Sequence, residues 1–207
     1  MLKKIFLDSG HNSADDPGAI TPYGKETDFN MKIRDALIPE LQRCGFEVAS
    51  VPDNLNLPAS YIWVNKTAKN LDDGLALAIH CNCCDREGAE SYYYGGIMSS
   101  KALAKTLIDE YCKETGFNNF GARPDTSTRF GELSWIRETN CWAVLIECGF
   151  ISNQNDVEKL KDYKKVARGI CKGVCKIYNI NYVEGSQVEL ISREEIKRQI
   201  IELLGKL

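Results

Sequence analysis

The sequence predicts an α/β fold, a mostly parallel central sheet with helices on both faces. Three observations lead there. Five apolar runs that read as strands take turns with amphipathic helical patterns. The runs are continuously apolar rather than alternating, as expected of strands covered on both sides. The length of 207 residues suits one enzyme-sized unit able to bury a substantial core.

The first strand is KKIFLD, residues 3 to 8. After a Gly/Ser/Asp/Pro loop, Phe29, Ile33, Leu37 and Leu41 recur every four residues and predict a helix over 27 to 43, with Gly45 as its stop. FEVASV (46 to 51) is the second strand, and Pro58 opens a helix running to about Leu71. LALAIHC (75 to 81) and ESYYYGG (90 to 96) are the next strands, and a helix from Lys101 to Glu114 ends ahead of Gly116. AVLIECGF (143 to 150) is the last strand, followed by helices over 155 to 160 and 164 to 177. Residues 1 to 182 are thus expected to form the main domain. Residues 183 to 207 are expected to form a linker, EGSQ, and a short C-terminal amphipathic helix with Ser192 and Glu195 as a capping box. Its stripe of Ile196, Ile200, Leu203 and Leu207 is marginal alone, so it should pack on the domain, on a further module, or on a twin in self-association.

Composition narrows the partners. A net charge of −3 gives no basic face for nucleic acid or an anionic membrane. Several of the nine cysteines, among them Cys44, Cys112, Cys148, Cys171 and Cys175, lie in apolar segments and read as reduced core thiols. MLKKIFLDSG has a five-residue apolar window interrupted by Asp8, too short for a signal peptide. The expectation is a chain made in the cytoplasm without a signal peptide.

The two histidines carry the chemistry. His11 follows the first strand and His80 ends the third, while Glu26 opens a helix and Glu147 lies near the end of the last strand. Each has a plain structural reading when taken singly, His11 as a turn residue and Glu26 as a helix-start carboxylate favoured by the macrodipole. Together they can meet at the carboxyl edge of one sheet, where α/β folds place ligands. Two imidazoles and a carboxylate are the ligand set of a catalytic zinc ion, and a second carboxylate off the metal supplies a general base. Strand alternation puts His80 and Asn82 on one face and Cys81 and Cys83 on the other, which removes the CNCC cluster from this site. It also pairs Glu147 with Leu145, away from Ile146 and Cys148. A carboxylate inside AVLIECGF needs a partner to offset desolvation.

These motifs, LDSGHNSADDPGA, GKETDFN, LAIHCN and AVLIECGFISNQNDVEKL, resemble those of the zinc-dependent N-acetylmuramoyl-L-alanine amidases of bacterial cell walls and phage endolysins. The resemblance spans residues 3 to about 179. It implies one Zn2+ per chain held by His11, Glu26 and His80, with Glu147 as catalytic base. It implies peptidoglycan as substrate, cut at the amide between N-acetylmuramic acid and L-alanine once the enzyme is released to the wall. Arg137, in LSWIRETN, and Asn82 are candidate substrate-binding residues. The chain departs from the family where two glycines commonly follow the first histidine, here Asn12 and Ser13, and where an arginine often follows the second strand, absent from VASVPDN. Two other functions fit the same residues: a wall-binding protein on the amidase fold with weak turnover, and a zinc peptidase cutting within the stem peptide.

Overall fold

The computed structural model describes residues 3 to 11 and 15 to 185. Six strands form the main sheet in the order β4-β1-β5-β8-β6-β7: β1 (Lys4–Asp8), β4 (Glu47–Ser50), β5 (Leu75–Asn82), β6 (Ala89–Tyr93), β7 (Asn119–Pro124) and β8 (Trp142–Phe150). All neighbouring pairs are parallel except β6 with β8. Two-residue strands β2 (Ile20–Thr21) and β3 (Gly24–Lys25) make a small hairpin beside it. The five expected strands are all present.

Helices cover both faces. On one, α1 (Glu26–Arg43), α3 (Met98–Thr115), α5 (Gln154–Leu160) and α6 (Tyr163–Ile177) close the larger core, which includes Ile5, Ile33, Leu37, Leu77, Leu107 and Ile146. On the other, α2 (Leu57–Thr67) and α4 (Ser134–Glu138) form a thinner layer with Phe6, Val64, Ala76, Trp135 and Leu145. Leu145 and Ile146 therefore face opposite layers, as the alternation requires.

Local chemistry sets the boundaries. α1 yields to Gly45, which takes a φ of +85° that side-chain-bearing residues rarely adopt. Asn56 caps α2 by accepting from the Ala59 N–H at 3.1 Å, with Pro58 in the first turn. That helix ends at Thr67, before the expected Leu71, and a 3-10 turn over Leu71–Asp73 follows.

Elements without a periodic signal were not foreseen. β2 and β3 are two residues each, too short to show a period. β7 contains Gly121 and Pro124, residues that ordinarily argue against a strand, and it is tolerated at the sheet edge beside β6. α4 has five residues. The expected linker and C-terminal helix lie, from residue 186 onward, outside the described residues.

Asp156 ties the end of β8 to the start of β6. Fully buried, its Oδ2 accepts the N–H groups of Gly88 and Phe150, each at 2.9 Å. Asp156→Ala strands both donors in the interior, and urea titration is expected to show a loss of about 2–4 kcal/mol. A change below 0.5 kcal/mol would contradict this role.

Candidate metal centre and catalytic cleft

β1 and β5 are neighbours at the point where the chain winds outward to β4 on one side and toward β8 on the other. This switch point opens a crevice at the strands' carboxyl ends. His11 lies just beyond β1 and His80 near the end of β5. The β2–β3 hairpin returns the intervening loop to the sheet, so that Glu26 becomes the first residue of α1. Its N–H donates to the Ala19 carbonyl at 2.8 Å, and the Ala19 N–H donates back to Glu26 Oε2 at 3.1 Å.

Glu26 stands between the two imidazoles. Its Oε2 lies 3.1 Å from His11 Nε2 and its Oε1 3.0 Å from His80 Nδ1. The rings meet edge to face with centroids 5.1 Å apart. One ligand atom from each of His11, Glu26 and His80 lies within 4.8 Å of the others. Two imidazole nitrogens and a carboxylate converging on one point suit a zinc ion in its catalytic form, with a position left for water.

Electrostatics match a cation site. Against its own burial, Glu26 is held well below the usual carboxylate range by hydrogen bonds and charge from His11 and His80. Burial lowers both histidines, but Glu26 and Asp16 bring His11 up to about 9, and Glu26 with Glu147 raises His80. The surrounding carboxylates thus favour positive charge at the two imidazoles, as a cation site requires.

Two glycines make the convergence sterically feasible. Gly10 has φ +55°, and a Cβ there would lie 2.6 Å from the His80 ring. Gly18 has φ +64°, and its Cβ would stand 2.6 Å from the His11 ring and 2.7 Å from Glu26 Oε2. His11 itself adopts φ +60°, a left-handed conformation in a residue with a side chain.

Glu147 sits directly across from His80 in the parallel β5–β8 ladder. Its Oε2 is buried and has no hydrogen-bond partner among the described residues. Burial pushes its carboxyl up to about 7; His80 opposes this, while Glu26 and Glu90 add to it. A carboxyl titrating there is poised to take and return a proton at neutral pH.

Three residues at the site escaped the sequence reading. Asp16 Oδ2 lies 3.0 Å from His11 Nδ1 and its Oδ1 accepts the Gly18 N–H at 3.1 Å, fixing the ring from the side away from Glu26. Glu90 is buried opposite Glu147 on β6, held by Arg123 at 3.0 Å and the Tyr92 hydroxyl at 2.8 Å. A carboxylate within the aromatic run ESYYY carried the same signal that singled out Glu147. Asp8 shares with His11 and His80 the lining of a cleft of about 160 Å³, walled by Leu57, Leu133 and Trp135.

Asn82 and Arg137 are engaged within the protein. The β5–β8 register shifts between His80 and Asn82, three residues of β8 answering two of β5, and Asn82 stays on the His80 side of the strand, as the alternation requires. The Asn82 amide donates to Glu90 Oε1 at 3.3 Å and its carbonyl oxygen accepts the Cys83 N–H. Arg137 grips buried Asp125 through Nε at 2.5 Å and Nη2 at 2.9 Å, and its guanidinium lies 3.9 Å from the Tyr94 ring centre. It belongs to α4, whose Ser134 and Trp135 line the cleft. VASVPDN, without an arginine, provides Asp53 instead, which pairs with Arg34 of α1.

Together the fold and the site define an α/β scaffold with two histidines and one glutamate grouped so that they could hold a metal ion, and a buried carboxyl oxygen of Glu147 beside them. Residues 5–176 match the family model described as N-acetylmuramoyl-L-alanine amidase, and the chain belongs to that family. It is 27% identical over 188 residues to the N-acetylmuramoyl-L-alanine amidase CwlM of Bacillus licheniformis, covering 87% of this chain and 70% of that protein. It is 28% identical to the endolysin of Bacillus phage SPP1, covering 89% and 69% of the two chains. Among solved structures it superposes on the catalytic domain of the amidase CwlV from Bacillus (Paenibacillus) polymyxa var. colistinus with a TM-score of 0.70 and 27% identity, over 87% of this chain and all of that one. An N-acetylmuramoyl-L-alanine amidase from Clostridium difficile 630 shares the fold, with a TM-score of 0.75 at 23% identity, covering 86% and 97%.

Gly18→Ala is expected to push the ligands apart and weaken zinc binding roughly 10- to 100-fold, read by competition with a chromogenic chelator while far-UV circular dichroism stays native. Unchanged affinity would dissociate Gly18 from the centre. A second prediction concerns the metal-free protein. Because the folded Glu147 pKa exceeds its unfolded value, its contribution to stability is complete below about pH 4.5 and is lost as pH rises through 7. Glu147→Gln should leave stability near pH 4 unchanged and raise it at pH 8 by about 1–3 kcal/mol in denaturant titrations.

Proposed function

We propose that this chain hydrolyses the amide joining the lactyl group of N-acetylmuramic acid to L-alanine in peptidoglycan, as a zinc enzyme with Glu147 as its base. The observation that carries the reading is the meeting of His11, Glu26 and His80 around one point, with Glu147 in register beside His80. His11, Glu26 and His80 would hold the ion. Bound there, zinc lowers the pKa of its water toward ~7 and polarises the amide carbonyl.

The chain's own groups do the rest. Asp16 keeps His11 Nδ1 occupied so that Nε2 faces the centre. Glu147 accepts the proton of the attacking water on Oε2 and delivers it to the alanine nitrogen as the C–N bond breaks. No serine or cysteine nucleophile is required. The apolar cleft wall of Leu57, Leu133 and Trp135 excludes water around the reacting amide. The candidate substrate contacts Asn82 and Arg137 are taken by Glu90 and Asp125; Arg137 would act on substrate binding only through α4, whose Ser134 and Trp135 line the cleft. We further propose that the chain is made in the cytoplasm and meets the wall on release.

The test is digestion of purified walls, read by mass spectrometry. Released stem peptides should begin with a free L-alanine amino group. Chelation should abolish release and zinc restore it, and Glu147→Ala should lower the rate at least 10³-fold while the fold is retained. Fragments cut within the stem peptide would refute the choice of bond, and full activity after chelation would refute the metal.

A further inference from the structure

A second convergence of metal-ligating groups lies at the opposite end of α1. Cys44, just past the last turn of α1, meets Cys171 and Cys175, one turn apart on α6. All three are buried, and one sulfur from each lies within 4.8 Å of the others. The Cys171 and Cys44 sulfurs are 3.8 Å apart, with the Cys171 thiol donating to Cys44. The Val183 N–H also donates to Cys44 Sγ, at 3.3 Å. The other buried thiols, Cys81, Cys112, Cys141 and Cys148, join no such group among the described residues.

The geometry points to a receptor for a trivalent thiophilic ion, formed by Cys44, Cys171 and Cys175, for which arsenite is the reference ligand. Spacing is the first argument. Sulfurs sharing one ion at bonds near ~2.3 Å lie about 3.5–4 Å apart, the separation already present between Cys44 and Cys171. Charge selects the class of ion. Three thiolates around a trivalent centre sum to zero, whereas a divalent ion leaves one negative charge and a monovalent ion two, in a core where unpaired charge is costly. The flanking cations do not offset this. Arg43 is taken by Glu40 and the Val183 carbonyl, and Lys172 by Glu114. Zinc is disfavoured further because it seeks a fourth ligand, and the group contains none among the described residues.

The reaction is a condensation without redox change. Arsenous acid, uncharged at neutral pH, exchanges its three hydroxyls for three sulfurs. Three S–H and three As–O bonds break, three As–S bonds form, and three waters leave. The segment from Tyr178 to Tyr182 packs against the core that contains the three thiols, and Val183 just beyond it contacts Cys44, so entry proceeds by local opening of that segment. Once bound, the ion ties the end of α1 to α6 and leaves the zinc centre untouched.

The test uses the full zinc-loaded chain, reduced with a phosphine, carrying Cys83→Ser and Cys84→Ser to remove the exposed thiols. Native mass spectrometry with arsenite should show one added arsenic per chain with three hydrogens lost, and the thermal midpoint should rise by roughly 3–8 °C. Cys44→Ala, Cys171→Ala and Cys175→Ala should each weaken uptake at least tenfold and cancel the thermal shift. Cys171→Val, closer in volume, guards against a packing defect and should behave alike. Uptake that disappears with the two serine substitutions, that occurs only in urea, or that survives the alanine substitutions overturns the proposal.

Discussion

The structure depends on one carboxylate placed between two imidazoles. Glu26 binds a histidine with each oxygen, and the three groups arrive from β1, β5 and α1. A carboxylate this buried is tolerated because both oxygens are partnered and because it opens a helix, where the macrodipole favours negative charge. Everything around it serves that meeting. The β2–β3 hairpin turns the loop, Gly10 and Gly18 leave room for the rings, and Asp16 braces His11 from behind.

Glu147 shows the converse arrangement. Its neighbour Glu90 is satisfied by Arg123, Tyr92 and Asn82, while Glu147 Oε2 has no hydrogen-bond partner among the described residues. Two carboxylates paired across β6 and β8 cannot share an environment on equal terms, and the partners have gone to one of them. The other is consequently raised toward neutrality. This asymmetry separates an acid satisfied by its neighbours from the one proposed above as the base. The single antiparallel pairing of the sheet is what brings them together.

The two faces of the sheet divide the work. The thick layer of α1, α3, α5 and α6 holds most of the buried apolar side chains, and among them the three thiols of Cys44, Cys171 and Cys175. The thin layer of α2 and α4 leaves the cleft uncovered above Ala78, His80 and Leu145. Stability and access to substrate are thus assigned to opposite sides. No described helix is long and apolar enough to cross a membrane.

The amino-acid sequence by itself determined the strands and long helices, because continuous apolar runs and a four-residue apolar recurrence are local properties of the chain. It also singled out His11, Glu26, His80 and Glu147, since a charged or metal-ligating group at the end of a buried strand stands out against its neighbours. Only the tertiary structure decided which groups share an environment. Asn82 reaches Glu90, Asp125 takes Arg137, and Cys44 meets Cys171 across 127 residues. β7 and the β2–β3 hairpin exist by pairing, without a periodic pattern of their own. The physical reason is common to all of these: a propensity is carried by a segment, whereas a contact or a shifted pKa belongs to a pair whose distance no single segment encodes.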